Sequence, residues 1–203
     1  MIVTLGLIAV TCLVSYFSFQ NPALLHRLIL WPPAIAKARE YERLLTSGFI
    51  HADGTHLLFN MVTLYFFGTL MDPKFVRHIG EVGYLAFYLG GIVIASLPSY
   101  FEHRNDENYR TLGASGAVSA VLFAFILVQP WATIYVFFLP VPAVIYAVIY
   151  TVYSIYMNNR RSDNINHSAH LWGAAYGIAF YVAMEPNALA LFVDRLSHPA
   201  YRF

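Results

Sequence analysis

The charged residues of this chain are so unevenly distributed that they separate long charge-free stretches. Between Arg110 and Arg160 there is no Asp, Glu, Lys or Arg, and none occurs before Arg27. Only 11% of the residues are charged, about half the share found in typical soluble domains. A bilayer accommodates such stretches, because each helical span needs about 20 largely apolar residues. The composition therefore excludes a soluble globular enzyme or a disordered chain, and it predicts a polytopic integral membrane protein.

The charge-free stretches and the polar residues between them predict six helical spans in a single membrane domain, residues 1–203. The apolar runs are continuous rather than alternating, which favours an all-α bundle over a barrel. Gln129-Pro130 divides the longest run, and we expect Pro140 and Pro142 to distort the fifth helix or to delay its start. The first run lacks a positive n-region, so we expect an uncleaved anchor. The predicted spans are about 2–19, 54–71, 82–101, 112–128, 133–157 and 167–184.

The longest predicted loop, residues 20–53, follows the first span. It contains Trp31-Pro32-Pro33 and then a cluster of charged residues that includes Arg43. Tryptophan beside prolines and charges suits the headgroup interface of a membrane. The loop is therefore either an interfacial connector or a functional segment, and the sequence leaves both interpretations open.

The charge balance and the cysteine content narrow the possible partners. A formal net charge of +1 offers no basic face for nucleic acid. The single cysteine, Cys12, excludes a disulfide framework and a thiolate metal cage. His51 and His56 are five residues apart with no Glu between them, unlike the His-Glu-x-x-His pattern of zinc proteases. We therefore expect no metal, no cofactor and no nucleic acid, with the lipid bilayer as the surroundings; no feature specifies an oligomeric state.

Four polar side chains stand out because ionisable and polar residues within spans are costly and point to function. His56 and Asn60 lie at the start of the second span, Ser115 at the start of the fourth, and His170 at the start of the sixth. Successive spans alternate in direction, so even-numbered spans begin on the same side of the membrane. The span count alone therefore predicts that these four side chains share one face at similar depth.

These residue types form a complete set for acyl transfer. A serine hydroxyl is a weak nucleophile until a base takes its proton, and histidine is the usual base near neutral pH. The oxyanion that forms then needs preorganised hydrogen-bond donors. The side chains of His56 and Asn60, four residues apart on one helix face, can supply them.

Small residues accompany the serine and the second histidine. Gly113 and Gly116 flank Ser115, while Gly173 and Gly177 follow His170 on roughly its face of the helix. Glycines spaced by four residues allow membrane helices to approach closely. Simple packing explains this pattern on its own, but close approach of the fourth and sixth spans would also bring an imidazole to the serine hydroxyl.

Together, these motifs resemble those of the rhomboid family of intramembrane serine proteases. The resemblance extends from Arg43, similar to a loop arginine of the family, to Met184. Three motifs occur in the family's order on the second, fourth and sixth spans. They are His51-Ala-Asp-Gly-Thr-His56-Leu-Leu-Phe-Asn60-Met61, Gly113-Ala-Ser115-Gly116 and Ala169-His170-Leu-Trp-Gly173-Ala-Ala-Tyr-Gly177.

The resemblance implies a role for each matching residue. Ser115 would be the nucleophile and His170 the general base, acting as a dyad. His56, Asn60 and the backbone N–H of Ser115 would form the oxyanion hole, and His51 would hold the loop end. Similar proteins cleave transmembrane proteins near the membrane surface, with a small residue before the cut and helix-destabilising residues after it.

The alternative is a catalytically silent protein with the rhomboid fold that binds transmembrane clients. The presence of both Ser115 and His170 argues against it, because a binder needs neither. His167 lies one turn before His170, but the Ala-His-x-x-Gly frame selects His170 as the base.

Two positions depart from the family pattern. Family members often carry a tyrosine one turn after the nucleophile, packed against the base, whereas this chain has Ser119. We therefore expect another residue, Tyr176 or Trp172, to orient His170, and we expect Tyr150 to be a packing or interfacial aromatic. Asp72 replaces a glutamate found in many members at the far end of the second span, where it concerns folding more than chemistry.

The sequence gives two conflicting indications of how the chain is oriented in the membrane. The resemblance favours a cytoplasmic amino terminus with the site facing outward, in the plasma membrane of a bacterium. The charges favour the reverse, because that orientation puts eight basic residues outside and four inside, against the positive-inside tendency. The eight are Arg27, Lys37, Arg39, Arg43, Arg104, Arg110, Arg160 and Arg161; the four are Lys74, Arg77, Arg195 and Arg202.

Overall fold

A computed structural model describes residues 1–136, 138–160, 163 and 165–199 of the chain; Arg161 and Arg202 lie outside these ranges. The protein is mostly helical. The longer helices are α1 (Ile2–Gln20), α5 (Gly54–Thr63), α6 (Thr69–Glu102), α7 (Ser115–Val128), α8 (Ala143–Arg160) and α9 (His167–Met184). The shorter ones are α2 (Pro22–Leu28), α3 (Pro32–Ala38), α4 (Arg43–Thr46) and α10 (Ala188–Ser197). Segment 20–53 is therefore folded into short helices rather than being an open loop.

Helices α5 and α6 follow each other as one helical rod, which has a single sharp break inside α6. A π-helical turn, Leu64–Gly68, joins them, and α6 is interrupted only at Gly80, where φ is 72° and ψ is 173°. An L-residue rarely adopts such a positive φ, so glycine permits the break. The helix does not end at residue 71, the predicted limit of the second span, because α6 continues through Pro73, which a membrane helix tolerates. Gly80 instead separates the second predicted span from the third.

The start of the fifth predicted span is a β-hairpin, not a helix. Strands β1 (Thr133–Val136) and β2 (Leu139–Pro142) pair antiparallel, and α8 begins directly after them. Pro140 and Pro142 lack the backbone N–H that a helix interior needs, so they confine the helix to the residues that follow. The fifth helix therefore starts late, as expected from Pro140 and Pro142, while the extension of that span back to residue 133 is wrong, and the all-α description needs this small sheet added.

Length and apolarity identify fewer membrane-crossing helices than the sequence predicts. Among the described residues, Ile2–Gln20 and Gly54–Glu102 are long and apolar enough to cross a membrane. The bent pair α9 and α10, whose axes differ by 108°, would make a third if counted as one span. Helix α7 is apolar but has only 14 residues. Helical segments of the described residues lie near each of the six predicted spans.

Helix α7 forms the centre of the molecule. Every residue from Gly116 to Val128 is buried, so this helix has no solvent- or lipid-facing stripe. An apolar helix that is buried on all sides is the expected core of a helical membrane bundle. Helices α6 and α9 pack against it, and an aromatic cluster fills the space between them. Its members are Phe75, Tyr84, Phe87, Tyr176 and Phe180.

Candidate active site

One cavity of about 610 Å³ lies where α5, α7 and α9 begin, with α8 beside them. Ser115, His170, His56 and Asn60, which the sequence selects as candidates, all line it. Each of the four lies within two turns of the start of its helix. The alternation of the helices thus brings four residues from three separate motifs to one concave site.

The segment that precedes Ser115 is held in place by the folded segment 20–53. Leu30 and Thr111 exchange two backbone hydrogen bonds, and the Gly113 N–H donates to the Ser47 carbonyl at 2.9 Å. The Ala114 N–H donates to Nε2 of His51 at 3.3 Å. Backbone groups of Thr111, Gly113 and Ala114 therefore fix the turn from which Ser115, the first residue of α7, projects.

Arg43, for its part, holds the folded segment 20–53 together. This largely buried side chain donates from Nη1 to the carbonyls of His26 and Ile29, at 2.7 and 2.9 Å, and it pairs with Glu40. A buried charge is tolerated when it is paired and hydrogen-bonded in this way. The sequence left residues 20–53 as either an interfacial connector or a functional segment. The structure gives this segment a supporting role, because it holds the turn at Ser115.

His51 is fully buried, and its hydrogen bonds define its tautomer. Because Nε2 accepts from Ala114, the proton of the neutral ring is on Nδ1, which lies 2.9 Å from Oγ of Ser15. The Ser15 hydroxyl then donates to the Phe49 carbonyl at 3.0 Å. Burial, reinforced by the nearby His56, lowers the pKa of His51 to about 3, although Asp53 opposes the shift. The ring therefore stays neutral and keeps its acceptor for Ala114.

Gly113 is glycine for two independent reasons. Its φ of +118° lies in a region that side chains rarely adopt, and a Cβ built there would lie 2.7 Å from Cε1 of His56. The His56 ring thus lies directly over the turn that leads to Ser115. The rings of His51 and His56 also meet edge to face, with centroids 4.9 Å apart.

Helices α7 and α9 touch through their backbones. A Cβ on Gly173 would lie 2.0 Å from the Gly116 carbonyl oxygen, and one on Gly177 would lie 2.1 Å from that of Ala120. Gly116 itself faces Ala95 and the Ala169 carbonyl. Absence of side chains at these positions is what allows α9 to carry His170 beside the start of α7.

Asn166 positions the start of α9. Its Oδ1 accepts from the Ala169 N–H at 3.0 Å, and its Nδ2 donates to Oγ of Ser99 at 2.9 Å. An asparagine cap of this kind satisfies one of the free donors of the first helical turn. Sequence analysis missed this residue, although Asn directly before an apolar helix is a recognisable capping signal.

Ser115 and His170 share the cavity without a direct hydrogen bond. Among the described residues, no hydrogen bond joins Oγ of Ser115 to either ring nitrogen of His170, although both side chains line the same cavity. Catalytic hydrogen bonds are often long before substrate binds. On α5, Nδ2 of the buried Asn60 donates one hydrogen to the His56 carbonyl at 3.0 Å, which leaves its second N–H for another acceptor.

The residue stacked on His170 is Tyr150, not Tyr176 or Trp172. The Tyr150 and His170 rings are nearly parallel, with centroids 5.8 Å apart and planes at 25°. Tyr176 instead donates to the Phe87 carbonyl on the other side of α9, and Trp172 is 53% exposed. The prediction that Tyr176 or Trp172 orients His170 is therefore wrong, whereas Tyr150 is a packing aromatic, as predicted, with His170 among its neighbours.

His167 belongs to a different environment from His170. It is 3% exposed, its Nε2 lies 3.1 Å from Oδ2 of Asp163, and it lines a second, more polar cavity of about 490 Å³. Although slight desolvation of Asp163 opposes it, the hydrogen bond with His167 holds the pKa of that carboxyl below its usual value. Within the described ranges, no three His, Cys, Asp or Glu side chains are grouped to hold a metal ion.

Comparison with known proteins gives consistent results. The family model described as "Rhomboid domain" matches residues 38–186 of the chain. The chain is 35% identical to "RHOMBOID-like protein 12, mitochondrial" of Arabidopsis thaliana, over 68% of this chain and 45% of that protein. It is 31% identical to "Presenilin-associated rhomboid-like protein A, mitochondrial" of Danio rerio, over 82% of this chain and 40% of that protein. The chain thus covers less than half the length of these two relatives.

A third relative is bacterial and similar in length to this chain. It is "Putative rhomboid protease YdcA" of Bacillus subtilis, 28% identical over 81% of this chain and 79% of that protein. The matched region, residues 38–186, contains every residue that lines the cavity around Ser115. The chain therefore belongs to the rhomboid family.

Proposed function

We propose that the protein is an intramembrane serine protease that hydrolyses peptide bonds of transmembrane proteins with a Ser115–His170 dyad. The observation that carries this proposal is the convergence of Ser115, His170, His56 and Asn60 on one cavity. A packing role would not require a nucleophile, a base and two oxyanion donors in the same space. Membership of a family that includes proteases supports the same conclusion.

The proposed reaction is acyl transfer in two steps. His170 takes the proton of the Ser115 hydroxyl as Oγ attacks the scissile carbonyl carbon. The resulting oxyanion accepts hydrogen bonds from Asn60, His56 and the Ser115 N–H. His170 then gives its proton to the leaving amine as the peptide C–N bond breaks, and water hydrolyses the acyl-enzyme by the same route in reverse.

We also propose that all six helical segments cross the bilayer. The break at Gly80 divides the rod Gly54–Glu102 into two segments, and the apolar, fully buried α7 is shielded from lipid by its neighbours. The relatives indicate two different compartments: the mitochondrial relatives do not fit the bacterial plasma membrane predicted above, whereas the Bacillus relative does. Fractionation of the source cells with an antibody to this chain distinguishes the two.

The experiment that tests the activity is labelling of the detergent-purified protein with a fluorophosphonate, which reacts with activated serines. We expect labelling of the wild type and none of Ser115→Ala, which should fold normally because it loses only a hydroxyl. His170→Ala should also lose labelling, while His167→Ala keeps most of it. Full labelling of Ser115→Ala would refute the proposal.

The same variants distinguish the protease from a client-binding protein. Cleavage of a transmembrane reporter should stop in Ser115→Ala while binding of that reporter continues. A wild type that binds the reporter but neither cleaves it nor reacts with the probe would instead support the catalytically silent alternative.

A further inference from the structure

Tyr150 makes a set of contacts that packing alone does not explain. It extends from α8 across the cavity, where its hydroxyl oxygen lies 2.6 Å from Oγ of Ser119. Its ring lies over that of His170, with nearly parallel planes, and it also contacts the ring of Phe123 at a centroid distance of 5.5 Å. One side chain therefore connects three helices at the imidazole that we propose as the base.

The geometry points to Tyr150 as the positioning residue for His170. We propose that its ring fixes the plane of the imidazole, and that the hydrogen bond to Ser119 fixes the ring. This inference rests on the proposed function, since it assigns a residue that holds the base of the same dyad. Tyr150 acts through His170 and need not touch the substrate.

The other neighbours of His170 do not account for its orientation. The His167 ring meets it edge on, at 77°, and the hydrogen bond of His167 goes to Asp163 instead. Tyr176 and Trp172 point elsewhere, as described above. Among the described aromatic residues, Tyr150 is thus the one whose face lies parallel to the imidazole.

Ser119 explains why the stacking residue comes from α8. Position 119 lies one turn after Ser115 and is 3% exposed, with its side chain beside the cavity. A serine there is too small to reach the imidazole, so it leaves room for a ring from another helix. Its hydroxyl then serves as the hydrogen-bond partner for the tyrosine that occupies that room.

This arrangement makes the position of the base depend on the position of α8. Aromatic stacking prefers a limited range of offsets and angles, so displacement of Tyr150 releases the imidazole plane. A small misplacement of a catalytic group can lower turnover by about 10²-fold. The consequence to be measured is therefore a loss of turnover without a comparable loss of substrate binding.

The primary test compares three variants with a matched control. Tyr150→Leu removes the ring, Tyr150→Phe removes only the hydroxyl, and Ser119→Ala removes its partner. We expect Tyr150→Leu to lower kcat for a transmembrane reporter by roughly 10- to 100-fold with little change in KM. Tyr150→Phe and Ser119→Ala should lie between that variant and the wild type, and Tyr176→Phe should match the wild type.

A rescue experiment separates positioning from general destabilisation. The double variant Ser119→Tyr with Tyr150→Ala moves the ring from α8 to α7 and opens the space that it needs. We expect this double variant to recover a large part of the kcat that Tyr150→Ala loses. A purely structural role for Tyr150 predicts no recovery, because the contact between α8 and α7 would still be missing.

A spectroscopic measurement tests the stacking without any need for activity. In protein labelled with ¹³C at histidine Cε1, the Tyr150 ring current shifts the His170 signal, which His170→Ala assigns. We expect Tyr150→Phe to retain this shift and Tyr150→Leu to lose it. An unchanged His170 signal in Tyr150→Leu would overturn the inference, as would a kcat equal to that of the wild type.

These outcomes are distinguishable from failure of the proposed function. If the wild type does not react with the fluorophosphonate, the protease proposal fails, and the NMR shift alone decides whether Tyr150 orients His170. If the wild type reacts and Tyr150→Leu reacts equally fast with an unchanged His170 signal, only the inference on Tyr150 fails.

Discussion

Asn60 is the residue whose replacement best separates a catalytic from a structural role. Its Nδ2 already makes one hydrogen bond within its own helix, to the His56 carbonyl. We expect Asn60→Ala to lower turnover by about 10²- to 10³-fold, because an oxyanion donor is lost. The melting temperature should change little, since one such hydrogen bond contributes only about 1 kcal/mol.

The matched control for this prediction is Thr69→Ala. Thr69 makes the same kind of bond, from its hydroxyl to the Tyr65 carbonyl four residues earlier, but it lies away from the cavity. Turnover and melting temperature are measured on the same preparations. His56→Ala should lose turnover to a similar extent and some stability, because its ring also packs on His51 and Gly113. Normal turnover with a large loss of stability in Asn60→Ala would show that Asn60 is only a structural residue.

His51 gives the protein a pH-dependent stability that can be measured. Burial holds its pKa at about 3, whereas an unfolded histidine has a pKa of 6.5. Between these values the unfolded state takes up a proton that the folded state excludes, so stability falls as the pH is lowered from about 6.5 towards 3. Above pH 6.5 this contribution is constant.

The variant that tests this is His51→Gln, whose amide can still accept from Ala114 but does not titrate. We expect the melting temperature of the wild type to drop more between pH 7 and pH 5 than that of His51→Gln. Equal drops in the two proteins would contradict a neutral, buried His51. Thermal unfolding in one detergent and in matched buffers gives the comparison.

At the scale of single residues, the sequence indicated the residues that project from helix starts but not the residues that support them. Ser115, His170, His56 and Asn60 could be grouped because spans alternate in direction, which needs no tertiary detail. Tyr150 and Ser15 reach the site from helices whose rotation is fixed only by packing. Nothing in the spacing of Tyr150 among the other tyrosines of its helix distinguishes it.

Helices α7 and α9 should be intolerant of any side chain at their contact. We expect Gly177→Ala to lower the melting temperature markedly, because its Cβ would lie 2.1 Å from a backbone oxygen of α7. Overpacking of this kind typically costs about 1–3 kcal/mol, and here it would also separate Ser115 from His170. Fluorophosphonate labelling should therefore decrease in the folded fraction as well.

Gly6→Ala is the control for that substitution. Gly6 is also in a helix, but a Cβ there would have nothing within 4 Å. It should leave labelling unchanged and should not lower stability, because alanine has the higher helix propensity. If Gly177→Ala behaves like Gly6→Ala, the backbone contact between α7 and α9 does not set the geometry of the site.

The element boundaries show which signals can be interpreted from sequence. Apolar runs located the helices because burial in lipid requires them, and Gln129-Pro130 correctly marked the end of α7. Proline alone was ambiguous: Pro73 lies within α6, whereas Pro140 and Pro142 lie in a strand. The difference depends on partners, since β1 supplies the ladder for β2, and no local pattern encodes that pairing.

At the scale of the whole molecule, Asp72 joins α6 to α1. This carboxylate is 1% exposed on α6 and accepts from the Thr4 N–H of α1 at 3.0 Å. The Thr4 hydroxyl in turn lies 3.2 Å from that of Tyr84. The contact joins residues far apart in the chain, and Asp72 lies 16 residues after His56, about 24 Å along a helix that rises 1.5 Å per residue.

We expect Asp72→Ala to lower stability while leaving the chemistry intact. It leaves a buried N–H without its acceptor, which costs about 1–3 kcal/mol. The melting temperature should fall by several degrees, whereas the labelling rate per folded molecule should equal that of the wild type. Asp194→Ala, at an exposed position on α10, serves as the control. A selective loss of labelling would mean that the two ends of the molecule are coupled.

The backbone contact between α7 and α9 also restricts how a polypeptide could reach Ser115 in the proposed reaction. Gly173 and Gly177 already lie against carbonyl oxygens of α7, so the two helices cannot move closer, and moving apart would increase the distance between Ser115 and His170. The cavity is also lined by Phe59 and Thr63 of α5 and by Tyr146 of α8, together with loop residues such as Asp53 and Ile165. If the proposed protease activity is correct, the side between α5 and α8 is left for an entering polypeptide, because entry there leaves the separation of Ser115 and His170 unchanged.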